Sequence, residues 1–211
     1  MESTLRGSVP AGTRLIETFG WTPDAGYMRL ERHLARMAKS ASQLGFRFDA
    51  AEAKASLKAE GAEPLRCRLT LGEAGFEFTS AQMAATPAKW TVAVAEQRLS
   101  SEDQWLQHKT TQRALYDTAR AQLPEDIDEY LFLNENNEVC EGAITNIFVT
   151  LTDGSQITPP THCGLLPGIL REELLSNGQV KQAVISLDML RDAKAIHMGN
   201  SLRGLIKAEL V

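Results

Sequence analysis

The sequence predicts a mixed α/β protein built in two parts. Short β-branched and aromatic runs alternate along the chain with stretches whose apolar residues recur at helical spacing. The 211 residues suffice for one large domain or two smaller ones sharing an interface. Residues 84–89, with Pro87, read as a boundary between a small domain of residues 1–84 and a larger one of residues 85–211.

Composition narrows the function classes. An apolar content of 43% and a charged content of 23% are those of an ordinary soluble globular protein. A net charge of −5 without a basic run argues against nucleic acid as a partner, so an anionic ligand must be held by a few placed groups. Cys67, Cys140 and Cys163 are odd in number and lack paired spacing, which reads as reduced thiols of a cytoplasmic protein. The sequence shows no leader pattern and no apolar run of membrane-spanning length. His33, His108, His162 and His197 form no pair at metal-ligand spacing, so no metal is expected. Nucleophile-elbow, P-loop and Rossmann glycine patterns are absent.

Residues 1–13 are small and polar and read as loose; a strand begins at Arg14–Phe19, followed by turn chemistry at Thr22–Tyr27. A helix runs from about Glu31 to Leu44 and stops at Gly45, with Leu30, Leu34, Met37, Ala41 and Leu44 as its core stripe. His33, Arg36 and Ser40 lie on one flank of that stripe, where Arg36 either drapes its stem over the core edge or holds an anion. Ala50–Glu60 reads as a second helix, and Leu65–Leu71 with Gly75–Ser80 as a hairpin. Arg66, Arg68 and Thr70 alternate onto one face of their strand, equally a solvated edge or a site for a substrate carboxylate.

Trp90–Glu96 reads as a strand, and Asp117–Leu123 as a helix ended before Pro124. Lys109 stands ahead of that helix, where a lysine is ordinarily just solvated. Glu129–Asn134 and Glu138–Glu141 form a hairpin over Asn134–Asn137. Gly164–Leu174 opens a helix with proline and glycine at its start, and its first N–H groups make an apt anion cradle. Ala195–Leu205 is a strand running into a polar turn.

Glu141 is the anomaly in this pattern. Cys140, Gly142 and Ala143 flank it, and the run Ile144–Val149 behind it is too apolar and β-branched for a solvent-facing strand. The ordinary outcome for a glutamate is a hairpin end in water. A buried carboxylate would need a partner, either a distant side chain or a bound ligand.

The stretch Glu141-Gly142-x-x-x-Asn146-Ile147-Phe148 resembles the signature of the class IV aminotransferases, the fold type IV enzymes that use pyridoxal 5'-phosphate (PLP). Four further motifs resemble that family in the same order: His33-x-x-Arg36-Met37-x-x-Ser40-Ala41, Lys109-Thr110-x-Gln112-Arg113, Leu166-Pro167-Gly168-Ile169-x-Arg171 and Asn200-Ser201-Leu202-Arg203-Gly204. The resemblance spans Leu15–Ala208. It implies two α/β domains of the D-amino acid aminotransferase-like type, with the cofactor in the interdomain cleft. It further implies that Lys109 is the Schiff-base lysine and that Glu141 pairs with the protonated pyridine nitrogen. Arg36, Asn200, Ser201 and the amides of Ile169 and Leu170 would hold the phosphate, and Asn146 belongs to the cofactor set. Many members carry threonine where this chain has Leu170, so only that residue's amide is carried over. Thr18 would reach the reacting side, and Arg66 or Arg68 would take a substrate carboxylate.

Within the family, the lysine motif is similar to the aminodeoxychorismate lyase branch, especially the form fused behind aminodeoxychorismate synthase. The resemblance then implies release of pyruvate from 4-amino-4-deoxychorismate to give 4-aminobenzoate for folate synthesis. The alternative is an aminotransferase of branched-chain or D-amino acid type. A cofactor-free binding protein is a third reading, opposed by the presence of every cofactor residue. The family also implies a homodimer and a functional link to a synthase. Stand-alone members carry an N-terminal strand region that is missing here.

Overall fold

The computed structural model describes residue 5 and residues 7–211. The expected loose start falls partly on residues 1–4 and 6, which lie outside the described residues. The chain divides into two units after Ala85, but His108–Gln112 belong to the first unit although they sit well inside the second in sequence.

The first unit comprises β1 (Leu15–Thr22), β2 (Gly26–Tyr27), α1 (Leu30–Leu44), α2 (Ala50–Ser56), β3 (Leu65–Gly72) and β4 (Gly75–Gln82). Its antiparallel sheet has the order β2-β1-β3-β4. α1 buries Leu34, Met37, Ala41 and Leu44. It ends where Gly45 takes φ 82°, a left-handed conformation that suits glycine, and donates to the Ala41 carbonyl. α2 starts on Asp49, whose carboxylate accepts from the amides of Ala51 and Glu52. It stops at Ser56, short of the expected Glu60, and beyond it the Ala59 N–H donates to the Tyr27 hydroxyl at 2.8 Å.

The face of β1 toward α1 carries a buried acid. Glu17 accepts from Arg36 Nε at 2.9 Å and Arg36 Nη2 at 2.6 Å, and its Oε2 lies 2.5 Å from His33 Nδ1. Glu17 and His33 are each 1% exposed. Burial alone would raise the Glu17 pKa, but the Arg36 charge and the hydrogen bonds from His33 and Arg36 together outweigh it and bring it down from 4.5 to about 2.

The second unit comprises β5 (Lys89–Leu99), α3 (Ala114–Ala121), β6 (Glu129–Asn134), β7 (Val139–Gly142), β8 (Asn146–Thr150), β9 (Gln156–Thr158), α4 (Ile169–Ser176), β10 (Lys181–Gln182), α5 (Leu187–Arg191), β11 (Ala195–Asn200) and β12 (Gly204–Leu210). Its sheet runs β10-β9-β8-β11-β12-β5-β6-β7, and β7 also pairs with β8. Six strands therefore close into a ring, sealed by the pair Glu141–Asn146. Val92, Leu131, Val139, Ile147, Val149, Met198 and Ile206 form one buried cluster on these strands, which explains the unbroken apolar run in β8. Among the described residues, no helix is long and apolar enough to cross a membrane.

The Glu17 ion cluster sets an expectation for stability. Because the native pKa of Glu17 is depressed, its contribution is fully present above pH 4.5 and is lost as pH falls toward about 2. Glu17→Gln leaves Arg36 buried without its counter-ion and should cost about 3–5 kcal/mol at neutral pH. In urea titrations the gap between variant and wild type should narrow between pH 4.5 and about 2; a gap that stays constant with pH would contradict this.

Candidate active site

The lysine segment is built onto the edge of β1. Ile16 N–H donates to the Lys109 carbonyl at 2.8 Å, and Thr111 N–H donates to the Arg14 carbonyl at 2.9 Å. The Thr111 hydroxyl accepts from Arg14 N–H at 3.0 Å, and Leu15 and Thr110 form a β-bridge. Further along, His108 Nδ1 meets Ser40 Oγ at 2.9 Å, and Gln112 Nε2 donates to Thr13 Oγ1 at 2.9 Å. Burial, with Lys39 nearby, lowers the His108 pKa, so the ring is neutral at physiological pH. Lys109 itself is half-buried. The helix behind it begins only at Ala114, earlier than the expected Asp117 yet clear of the lysine. Backbone bonds to β1 hold Thr110 in a bridge position, which its β-branched side chain favours, and the chain bends at Thr111.

The register of the small sheet places Thr18 opposite Arg68, Gly20 opposite Arg66 and Ile16 opposite Thr70. Cross-strand partners share a face, so Thr18, Arg66, Arg68 and Thr70 lie together on the side away from Glu17 and α1. Arg66 and Arg68 are exposed and Thr18 is half-buried. Arg36 lies on the other side of the sheet, gripped by Glu17 through two of its nitrogens.

In the second unit Glu141 is 5% exposed. Its Oε1 accepts from the Tyr116 hydroxyl at 2.7 Å and its Oε2 from Asn146 Nδ2 at 3.3 Å. Burial first, then the Glu141 charge, pushes the Tyr116 pKa far above its ordinary value, so the phenol stays a donor. Arg171, 2% exposed, adds a positive charge whose field Glu141 shares. Asn146 Nδ2 also donates to the Leu166 carbonyl at 2.9 Å. That bond ties the acid to the start of α4. There a Cβ on Gly168 would stand 2.0 Å from Asn146 Oδ1, so glycine alone fits.

Gly168 caps α4 without any side-chain hydrogen bond, so the amides of Ile169 and Leu170 open the helix as donors. Leu170 packs by Gly199, where an added Cβ would lie 3.2 Å from its Cδ2, which brings this helix start to the 200–203 turn. Asn200 Oδ1 accepts from the amides of Leu202 and Arg203, its Nδ2 donates to the Ile144 carbonyl, and Ser201 is buried beside it.

Two contributors carried no role in the sequence reading. Tyr116 sits three residues after Arg113, on the helical turn behind the lysine motif, and that spacing was the available signal. Glu17 was visible as an acid in an apolar strand, the same anomaly that marked Glu141.

Taken unit by unit, these donors suit the separate groups of PLP. The first unit supplies an amine on a fixed backbone and a buried guanidinium. The second supplies an oriented, buried carboxylate suited to a pyridine N–H, and an uncapped helix start beside a buried serine, suited to a phosphate.

Comparison with known proteins agrees with the fold. The family model for class IV amino-transferases matches residues 14–211. A solved structure from Mesorhizobium loti, provisionally named an amino-acid aminotransferase, is 42% identical, with a TM-score of 0.89 over 94% of this chain and 100% of that one. A Schizosaccharomyces pombe protein provisionally named an aminodeoxychorismate lyase is 29% identical over 201 residues, covering 89% of this chain and 86% of its own. The 4-amino-4-deoxychorismate lyase of Pseudomonas aeruginosa, at 22% identity, shares the fold, with a TM-score of 0.80 over 93% of this chain and 82% of that one. The fold is that of the fold type IV enzymes, and the chain belongs to the class IV aminotransferase family.

The Asn146–Gly168 contact gives a direct test of the second unit. Gly168→Ala should destabilise the protein by about 1–3 kcal/mol, because Asn146 must abandon its two hydrogen bonds. In an Asn146→Ala background the same change should cost much less, since the obstructing amide is gone. Additive losses in that double-mutant cycle would place the strain elsewhere.

Proposed function

We propose that the protein binds PLP and acts as a 4-amino-4-deoxychorismate lyase, releasing pyruvate to form 4-aminobenzoate. The observation that carries this reading is the register of the small sheet, which lines Thr18, Arg66 and Arg68 along one face. Such a row suits a substrate with two carboxylates, because guanidinium groups read carboxylates through paired hydrogen bonds. The S. pombe relative supports the same reading.

PLP, when bound, supplies an electron sink for the pair released at the substrate Cα. Lys109 Nζ would hold the cofactor at its aldehyde and, as a free amine, would take the proton from the substrate Cα. Glu141 keeps the pyridine nitrogen protonated, and the Tyr116 hydroxyl and Asn146 amide hold its carboxylate in one orientation. The Ile169 and Leu170 amides, Asn200, Ser201 and Arg36 serve the phosphate, with Glu17 fixing the Arg36 guanidinium. Thr18 works on the reacting side.

A second reading, amino transfer to a 2-oxo acid, is favoured by the M. loti relative. Both reactions begin with the same proton removal, so the cofactor residues serve either. The three buried thiols fit a reducing cytoplasm, and the family's habit supports a homodimer working with an aminodeoxychorismate synthase.

The assay supplies 4-amino-4-deoxychorismate with and without a panel of amino donors and 2-oxo acids. Pyruvate and 4-aminobenzoate should appear in equal amounts without consumption of an oxo acid. Fast amino transfer with no 4-aminobenzoate would overturn the lyase reading in favour of the second. Arg68→Ala should raise KM about tenfold or more, with a smaller effect on kcat.

A further inference from the structure

We infer that Glu129 is a positioning residue, holding the loop of residues 143–145 so that Glu141 and Asn146, at its two ends, keep their geometry. The inference rests on the reading of Glu141 as the partner of the cofactor ring.

The loop is short and tethered at each residue. Arg113 Nη2 donates to the Ala143 carbonyl at 3.0 Å, and Asn200 Nδ2 to the Ile144 carbonyl at 3.1 Å. Gly142 N–H donates to the Thr145 carbonyl at 2.8 Å. Those groups serve the loop's carbonyls. Its donors turn instead to Glu129, whose Oε2 accepts from Ile144 N–H and from the Thr145 hydroxyl, both at 3.3 Å. The stem of Glu129 also fills the space over Gly142: a Cβ there would meet its Cγ at 3.0 Å, together with Thr145 Oγ1 at 2.5 Å and Met198 Cε at 2.8 Å. Glu129 thus touches the residue that follows Glu141 and bonds the two that precede Asn146.

Stability alone does not account for an acid in this place. Glu129 is 0% exposed, and its Oε1 has no hydrogen-bond partner among the described residues. Arg120 Nη1 stands 3.5 Å from that oxygen but is itself more than a third exposed. Burial raises the pKa of Glu129 against the opposing pull of Arg120 and the loop donors. An apolar residue of similar size would avoid that penalty. What such a residue cannot do is accept from a backbone N–H and a hydroxyl at once and so fix the turn between the ring-closing strands.

The test uses the full chain, stripped of PLP and titrated with it, as wild type and as Glu129→Gln, Glu129→Leu and Thr145→Val. Hydrogen exchange of residues 141–147 in the apo form and the PLP dissociation constant are the two readouts, with thermal midpoint as control. Glu129→Leu should speed exchange in that segment and weaken PLP about tenfold. Glu129→Gln, which keeps an acceptor oxygen, should stay within about threefold of wild type, and Thr145→Val should move both readouts a few-fold in the leucine direction. Unchanged exchange and PLP affinity in Glu129→Leu, whatever its thermal midpoint, would overturn the inference. If that variant does not fold, unchanged readouts in Thr145→Val overturn it instead. Failure of the wild type to bind PLP would count against the proposed function, while apo exchange would still judge Glu129.

Discussion

The second unit hangs on one residue pair. Asn146 sits opposite Glu141 where the ring of six strands closes, and the asparagine's side chain bonds both that acid and the Leu166 carbonyl at the start of α4. Closing a sheet removes its exposed edges, and here the closing pair is the one that carries the acid. A carboxylate placed there inherits the rigidity of the closure. The same amide makes the acid and the helix start a single rigid piece, which is why a methyl group at Gly168 has no room. Orientation that would be entropically costly on a loose loop is obtained from the fold itself.

β1 plays the corresponding part in the first unit, dividing its work by direction. Toward α1 it sends Glu17, which neutralises Arg36 and locks its guanidinium in place. On the opposite side it presents Thr18 in line with the arginines of β3. Along its edge it takes up the backbone of Lys109 by hydrogen bonding. A lysine side chain is among the most mobile in a protein, so anchoring its carbonyl and the residues that follow it helps to confine its amine.

Much of this was legible in the sequence where the governing physics is local. α1 could be read because its apolar stripe is long and Gly45 supplies the left-handed stop. The hairpin of β3 and β4 was announced by its turn residues, and the five motifs by short, fixed spacings. The contacts that complete the site join residues far apart in the chain. Tyr116 reaches Glu141 across 25 positions, and Lys109 joins β1 from more than 90 residues away. No periodicity encodes such pairings. The same limit explains α2, whose end at Ser56 comes just before Ala59 bonds to Tyr27, a residue read only as part of a turn. The question of what meets Glu141 had a partly unexpected answer. A phenol and an amide donate to the carboxylate, and Arg171 adds a positive field.

Whether Lys109 carries the cofactor can be read from the position of a reduced adduct. The purified protein is incubated with PLP, reduced with borohydride, digested, and the modified peptide located by mass. A single phosphopyridoxyl adduct should form on Lys109 and be absent from Lys109→Ala. An adduct on another lysine, or none at all in the wild type, would contradict it.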